Sequence, residues 1–370
     1  MTQPLSGLRV LDFSTLLPGP LCSLLLAEAG AEVIKLERPE RGDEMRSYEP
    51  KAGVDSANFV LLNRGKHSVS IDLKSPDALA MLTPSLKEAD VLIEQFRPGV
   101  MDRLGLGYEA LSKINPRLIY CSITGFGQYG PRAKEAAHDL NYVAASGTLS
   151  LTAGSDGAPV LPPALIADIA GGTYPAMINI LLALRQRDQT GKGMHLDVAM
   201  ADNLFTFQYW GLGNGALGQW PGTAGDLVTG GTPRYQIYRT ADNAYLAAAP
   251  LEDKFWSNFT ALVGLSEEAM AKLSPTSAIA AVADAIAEKP VAHWEEVFKN
   301  QDVCTSRVMS LEEARHDPHF NARGLFSHTV TTADGVQMPA LPVPVDTAFR
   351  SPHRSRLSPA LGVDNPILNQ

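Results

Sequence analysis

Residues 8–37 have the sequence LRVLDFSTLLPGPLCSLLLAEAGAEVIKLE, and this stretch decides the fold class. It begins with a short apolar strand, Leu8–Phe13. A Pro-Gly-Pro turn then opens a helix whose apolar side chains recur at helical spacing from Leu21 to Ala29. Gly30 suits the left-handed position that ends a helix, and Ala31–Glu37 is a second strand. The stretch is therefore a β–α–β unit, in which the two strands are expected to run parallel.

Strand and helix patterns continue to alternate beyond this unit, which predicts an α/β domain with a mainly parallel sheet. Strands are predicted at Ser68–Leu73, Val91–Glu94 and Leu118–Ile123, and helices at Pro76–Ala89, Ala164–Arg187 and Asp197–Trp210. A glycine-rich stretch with little periodicity, 211–233, is interpreted as a linker or loop. A second unit follows, with a hairpin over 235–249, three amphipathic helices at 252–263, 276–288 and 291–300, two strands within 328–344 and an extended proline-rich tail.

Composition narrows the class of protein. The formal net charge of −9 over 370 residues argues against a general nucleic-acid or membrane-surface binder. Cys22, Cys121 and Cys304 are far apart and form no CxxC pair, which predicts neither a zinc site nor a disulfide framework. Residues 1–9 lack the features of a secretory signal, and no uninterrupted apolar run reaches the roughly 18 residues of a membrane span. We therefore expect a cytoplasmic protein without a membrane partner.

A nicotinamide site is disfavoured at the first strand–helix turn. Glu37, an acidic residue after the second strand, is compatible with such a site, but the turn lacks the G-x-G-x-x-G pattern that lets the backbone approach a pyrophosphate. The sequence of the turn is Leu17-Pro18-Gly19-Pro20-Leu21, and its two prolines remove two backbone donors. The β–α–β start therefore carries no information about function.

Basic residues crowd the segments that leave the predicted strands. In open α/β sheets, ligands bind outside the carboxyl ends of the strands, so these side chains suit a phosphorylated ligand. The alternative is a solvated surface with ordinary salt bridges, and spacing alone does not separate the two. The residues are Arg38, Arg41, Arg46, Arg64, Lys66, Arg97 and Arg103.

Two acid–base groups form a second constellation. Asp168 lies inside an apolar run that ends in Gly171-Gly172. Burying a carboxylate there costs free energy, which suggests that the residue has a functional role. Burial would raise its pKa, as a general base requires. His138-Asp139 follows a glycine-rich loop. The alternatives are a helix cap for Asp168 and a satisfied structural polar residue for His138.

Four motifs carry a resemblance to a known family. Val33–Pro39, Asn63–Lys66, Glu94–Gly99 and Asn115–Tyr120 resemble those of family III CoA-transferases in order and spacing, and the likeness covers nearly the whole chain. The resemblance implies a Rossmann-like large domain over 1–210, completed by about 331–370 from the C-terminus. It also implies a linker at 211–232, a small α+β domain at 233–330, and an interlocked homodimer.

The resemblance also assigns residues. It implies that CoA enters as part of a thioester substrate and that no metal or redox cofactor is needed. Asp168 matches the catalytic aspartate of the family. The residues assigned to CoA are Arg38, Lys66, Arg97 and Arg103 for the phosphates, Phe96 and Met101 for the adenine pocket, and Asp139 and Tyr142 as further contacts.

Two family activities use Asp168 differently. A transferase would use it as a nucleophile, whereas a racemase needs two acid–base groups around one carbon. His138–Tyr142 resembles the racemase version of this segment, and Pro250–Phe255 resembles the segment whose glutamate, Glu252 in this chain, pairs with that histidine. The four-glycine run of some transferases is only half present. The sequence thus favours racemisation of 2-methylacyl-CoA thioesters, with CoA transfer and non-catalytic acyl-CoA binding as alternatives.

Two further expectations concern the geometry of this site. Racemases of this family have glycine before the His-Asp pair, whereas this chain has Ala137. The loop before His138 is therefore expected to differ from theirs. Racemisation passes through an enolate, and amides at the start of the helix near Asp168–Gly172 are expected to stabilise its oxygen.

Overall fold

The computed structural model describes residues 3–154, 156–353 and 355–369. The chain forms two compact units. Unit 1 comprises 1–146, 162–207 and 318–370, and unit 2 comprises 147–161 and 208–317. Compared with the predicted bounds, residues 147–161 belong to unit 2 and residues 318–330 to unit 1. The predicted outer bounds, Met1 and Gln370, lie outside the described residues.

Strands and α-helices alternate along much of the described chain. In chain order, the strands are β1 (Arg9–Asp12), β2 (Glu32–Glu37), β3 (Lys51–Ala52), β4 (Asp55–Ser56), β5 (His67–Ser70), β6 (Val91–Glu94), β7 (Ile119–Thr124), β8 (Met194–Ala199), β9 (Gln236–Arg239), β10 (Tyr245–Ala248), β11 (Thr305–Arg307), β12 (Thr329–Thr331), β13 (Gln337–Pro339) and β14 (Ser355–Leu357). The α-helices are α1 (Pro18–Glu28), α2 (Ala57–Asn63), α3 (Ala78–Glu88), α4 (Val100–Arg103), α5 (Tyr108–Ile114), α6 (Asp139–Ala145), α7 (Tyr174–Thr190), α8 (Met200–Asn203), α9 (Tyr209–Ala216), α10 (Asp253–Leu262), α11 (Glu267–Met270), α12 (Pro275–Ala287), α13 (Val291–Phe298), α14 (Leu311–His316) and α15 (Pro318–Ala322). A π-helix, Ala167–Thr173, leads directly into α7.

Unit 1 is built on a six-stranded parallel sheet, which confirms the predicted α/β class. Its strand order is β5-β2-β1-β6-β7-β8, and β1 pairs with β2 on one side and with β6 on the other. The central strands are buried along their length, as expected for a parallel sheet covered on both faces. The chain changes direction across the sheet between β1 and β6, and such a switch point leaves a crevice at the carboxyl ends of the strands.

The predicted helix over Asp197–Trp210 is wrong at its start. Residues Met194–Ala199 form β8, which pairs with β7 over six residues, from Ile119 opposite Met194 to Thr124 opposite Ala199. Helical structure begins only at Met200. Strand pairing over this length overrides the local preference of a short Ala- and Leu-containing segment.

The predicted linker is also partly helical, because α9 extends through Ala216. Gly215 lies against the Trp220 ring, and a Cβ at this glycine would fall 2.4 Å from a ring atom. Close packing of a tryptophan against a helix therefore orders glycines that, in the sequence, are typical of a loop.

The long apolar helix is observed as the π-helix followed by α7, over Ala167–Thr190. By length and composition this described segment could cross a membrane, and 44% of its apolar window is buried within the chain. Part of its outer face is apolar and exposed, including Ile178 and Leu182.

Unit 2 consists of the predicted hairpin and the predicted amphipathic helices. Strands β9 and β10 pair in antiparallel fashion, and β11 adds to β10. Helices α10, α12 and α13 contribute the core, which contains Trp256, Phe259, Trp294 and Phe298.

The C-terminal tail is packed rather than free. Asp364 and Asn365 accept hydrogen bonds from the backbone amides of Ser68 and Ser70, at 2.8 and 2.7 Å. These contacts cover the edge strand β5, which would otherwise expose unpaired amides.

Candidate active site

A cavity of about 660 Å3 opens in unit 1 at the carboxyl ends of β1, β6 and β7. The segments that follow these strands form its walls, as expected at a switch point in a parallel sheet. His138, at the start of α6, and Asp168, in the first turn of the π-helix, both line it. The structure therefore brings the two predicted acid–base residues to one cavity.

The segment after β1, which contributes Thr15 and Leu16 to the cavity wall, is held by a buried ion pair. Asp43 pairs with Lys35 at 2.9 Å, with both side chains fully buried, and accepts the Leu16 amide at 3.1 Å. Leu16 lines the cavity in a left-handed conformation with φ of 63°, an unusual conformation for a leucine. The buried Lys35–Asp43 pair therefore holds Leu16 in this strained conformation.

Gln95 joins the segment after β6 to the first turn of α1. Gln95 lines the cavity and accepts the Gly19 amide of α1 at 2.8 Å. A Cβ at Gly19 would lie 2.4 Å from the Gln95 oxygen, so only glycine permits this approach. The sequence signal for Gln95 was its place directly after β6, at the carboxyl end of a central strand.

His138 is the N-cap of α6 and its side chain is exposed. Its amide donates to the Asn141 side chain at 3.0 Å, and the Tyr142 hydroxyl donates to the Ala137 carbonyl at 2.8 Å. Ala137 does not have a positive φ. Alanine in place of glycine at position 137 therefore causes no backbone strain here. The hydrogen bond from the Tyr142 hydroxyl holds the loop before His138 in position.

Asp139 connects the two acid–base residues. Its buried carboxylate accepts the Asp168 amide at 2.9 Å. Burial, reinforced by the nearby Asp139 charge, raises the pKa of Asp168 to about 7. A carboxyl group that titrates near neutral pH suits proton transfer. The structure thus uses Asp139 to organise the helix start, and the predicted CoA contact of Asp139 is not supported by this arrangement.

Two of the predicted enolate-stabilising amides at the start of this helix are already hydrogen-bonded. The Asp168 amide donates to Asp139, and the Ile169 amide donates to the Leu165 carbonyl at 3.1 Å. The following glycines serve packing, since a Cβ at Gly171 would lie 2.4 Å from the Met200 carbonyl oxygen. The Gly-Gly pair allows the helix that carries Asp168 to approach α8 closely.

The basic residues divide into two groups. Lys66 is buried, and its ammonium contacts Asp12 at 3.4 Å and the Pro20 carbonyl and the Asn63 side chain at 2.8 Å each. This placement does not support the predicted phosphate contact, because the donors of the ammonium are taken. Arg46 and Arg64 are likewise buried in ion pairs.

The other basic residues remain accessible. Arg97 lines the cavity, whereas Arg38 and Arg103 are exposed outside its lining. Arg38 pairs with Glu44 at 3.2 Å, and Glu44 itself lines the cavity. Arg97 is thus the one arginine that the described structure brings to the cavity wall.

The remaining predicted residues are also placed. Phe96 and Tyr142 line the cavity. Met101 is packed in the core of unit 1 and is 5% exposed, and it lines a small cavity that Arg97 also lines. Its contact with adenine stays a prediction. Glu252 is the exposed N-cap of α10 in unit 2, and its pairing with His138 stays a prediction. Among the described residues, no group of three or more His, Cys, Asp and Glu side chains could hold a metal ion.

Comparisons with known proteins place the chain in one family. The profile of CoA-transferase family III matches residues 5–365. An alpha-methylacyl-CoA racemase from Homo sapiens is 38% identical over 87% of this chain and 82% of its own length. An acetyl-CoA:oxalate CoA-transferase from Acetobacter aceti is 34% identical over 99% of this chain and 95% of its own.

A solved structure gives the same answer. The crystal structure of a CAIB/BAIF family protein from Brucella suis superimposes with a TM-score of 0.83 at 31% identity, covering 100% of this chain and 99% of that one. Sequence motifs, cavity and fold therefore agree, and the chain belongs to CoA-transferase family III.

Proposed function

We propose that the chain is a 2-methylacyl-CoA racemase, which interconverts epimers of 2-methyl-branched acyl-CoA thioesters by 1,1-proton transfer through an enolate. One observation carries the proposal. His138 and Asp168 line the same cavity, and Asp139, covalently next to His138, hydrogen-bonds the Asp168 amide. Racemisation needs two acid–base groups at one carbon, and this arrangement keeps two of them together.

The ionisation of Asp168 supports a role as a base. With a pKa of about 7, its carboxyl group is partly protonated near neutral pH and can both accept and return a proton. A nucleophile has to be ionised to attack the thioester, so the same pKa is less favourable for acyl transfer. Phe96 and Arg97, on the adjacent wall, would contact the CoA part of the substrate, and Arg38 and Arg103 its phosphates.

CoA transfer between carboxylic acids is the second candidate. It is favoured by the extent of the likeness to the oxalate CoA-transferase, which covers 99% of this chain. In that reaction the Asp168 carboxylate would attack the thioester, release CoA as thiolate and hold the acyl group as a mixed anhydride. The thiolate would then attack the Asp168 carbonyl carbon of the anhydride and release the donor acid, leaving a thioester on Asp168. The acceptor carboxylate would displace the thiolate from this thioester to form a second anhydride, and the thiolate would attack the acceptor acyl carbon, giving the new CoA thioester and free Asp168.

Isotope exchange separates the two reactions. The purified protein is incubated with a 2-methylacyl-CoA in deuterated water, and deuterium at the α-carbon is followed by mass spectrometry. Exchange without any added acid is expected for the racemase. CoA transfer to an added carboxylic acid, with no exchange in its absence, would establish the transferase instead, and a heat-denatured sample controls for spontaneous exchange.

We also propose that the chain is a homodimer, using the exposed apolar face of α7. Ile178 and Leu182, one turn apart, are 56% and 62% exposed, and exposed apolar patches on a helix mark interaction surfaces. A double variant, Ile178→Glu with Leu182→Glu, is expected to convert a dimer of twice 39.7 kDa into a monomer in light scattering. Val54→Glu, at a 71% exposed valine elsewhere, is the control. A wild-type mass of 39.7 kDa would contradict the proposal.

A further inference from the structure

Glu94 is a buried carboxyl group that the proposed chemistry does not use. It ends β6, is 3% exposed and forms no ion pair with any described residue. Its Oε2 accepts the Phe96 amide at 2.7 Å. Phe96 and Arg97 line the cavity, so this hydrogen bond fixes the segment that would receive CoA.

Two polar side chains, Ser122 and His195, lead from this carboxyl group toward the surface. Ser122 on β7 lies directly opposite Glu94 in the sheet, so the two side chains lie on the same face, and the Ser122 hydroxyl lowers the pKa of the Glu94 carboxyl group. The Ser122 hydroxyl oxygen is also 2.9 Å from Nε2 of His195. His195 lies on the edge strand β8 and is partly exposed to solvent, and its ring stacks on Tyr108 with ring centres 5.4 Å apart.

We propose that Glu94 is a positioning residue for the Phe96–Arg97 segment, and that proton exchange through Ser122 and His195 makes CoA-thioester binding depend on pH. The inference rests on the proposed function, since it presumes that the segment binds CoA. An ionised carboxylate forms a stronger, charge-assisted bond to the Phe96 amide than a carboxylic acid does. Protonation therefore loosens the segment and weakens binding.

The charges around Glu94 set the pH range. Burial, opposed by the Ser122 and Phe96 hydrogen bonds and assisted by two nearby carboxylates, raises the pKa of Glu94 to about 7. The Tyr108 and Tyr120 rings pack against the His195 imidazole, and this partial burial lowers the pKa of His195. The titratable and charged groups that face Glu94 are Arg97, Asp102, Tyr108, Tyr120, Cys121, His195 and Asp197. Binding should thus tighten as the pH rises from about 6 to about 8, while His195 stays largely neutral.

The direction of the hydrogen bonds depends on the same proton. With Glu94 ionised, Ser122 donates to Glu94 and the Nε2–H of His195 donates to Ser122. With Glu94 protonated, the carboxylic acid donates to Ser122, and Ser122 donates to an unprotonated Nε2. The imidazole of His195 therefore changes tautomer near the pKa of Glu94, without gaining charge.

The test is the dissociation constant of CoA measured by calorimetry between pH 6 and 8.5, for wild type, Glu94→Gln and Ser122→Ala. The ratio of the variant constant to the wild-type constant cancels the titration of CoA itself. For Glu94→Gln this ratio is expected to change roughly three- to ten-fold across the range, with a midpoint near pH 7. In Ser122→Ala the dissociation constant of CoA is still expected to fall as the pH rises, but with its midpoint at a higher pH than in wild type. The reason is that the variant lacks the hydroxyl that stabilises the ionised form of Glu94.

A ratio for Glu94→Gln that differs from one but stays constant with pH would overturn the proposal, since a purely structural role gives a uniform change. Glu88→Gln, at an exposed carboxylate, is the control and is expected to follow wild type. If wild type does not bind CoA at all, the proposed function fails instead. Nitrogen-15 NMR of His195 is an independent readout, and a tautomer that stays fixed from pH 6 to 8 would also contradict the relay.

Discussion

An Asp168→Asn variant is expected to exchange the α-proton of a 2-methylacyl-CoA about 10²- to 10⁴-fold more slowly than wild type. Asparagine keeps the size of the side chain and leaves the backbone bond from residue 168 to Asp139 intact. It removes the group that accepts and returns a proton. The measurement is deuterium uptake at the α-carbon per unit time, at saturating substrate.

Asp139→Asn is a second variant, which changes the pKa of Asp168 without replacing Asp168 itself. The asparagine oxygen can still accept the Asp168 amide, but the charge that helps to raise the pKa of Asp168 is gone. The pKa of Asp168 should therefore fall, and the acidic limb of the rate profile should move to lower pH. Exchange that survives Asp168→Asn, or an unchanged profile in Asp139→Asn, would contradict the assignment of Asp168 as a base.

The sequence was sufficient to predict elements whose pattern is local. The first β–α–β unit, the β6 strand and the hairpin of unit 2 follow from hydrophobic periodicity and turn residues, and the structure confirms them. The strand β8 was missed because its formation depends on pairing with β7, more than 70 residues earlier in the chain. Local propensity contains no information about such a partner.

In the candidate site, too, features that depend on local sequence were predictable, whereas features that depend on distant partners were not. His138 and Asp168 could be predicted, since a carboxylate in an apolar run is conspicuous and the motif around the histidine is specific. The role of Asp139 could not, because its hydrogen bond to Asp168 joins positions 29 residues apart. Positive charge in a sequence likewise does not reveal its partner, so Lys66 and the exposed Arg97 looked alike although only one of them reaches the cavity.

Lys66→Met is expected to lower the free energy of unfolding by about 3–5 kcal/mol, the usual cost of removing one partner of a buried ion pair. The Lys66 ammonium is fully buried, and burial lowers its pKa to about 8. It links the Asp12 carboxylate at the end of β1 to the Pro20 carbonyl in the first turn of α1. Methionine fills the space but leaves both acceptors without this donor, although Lys35 still faces Asp12. Urea unfolding followed by circular dichroism measures the change.

The same variant decides between the structural role of Lys66 and its predicted phosphate contact. If Lys66 only braces the β1–α1 turn, the folded fraction of Lys66→Met should bind CoA with nearly the wild-type dissociation constant, measured at low temperature and without denaturant. A phosphate contact predicts the reverse, with near wild-type stability and a dissociation constant raised about ten-fold or more, since a charge-assisted hydrogen bond contributes about 1.5–3 kcal/mol. Arg41→Met, at an exposed arginine of the same basic cluster, is the control and should change stability by less than about 0.5 kcal/mol. Asp43 belongs to the buried network and accepts the amide of Leu16, which lines the cavity. Loss of both stability and CoA affinity in Lys66→Met would therefore show that the network shapes the cavity wall.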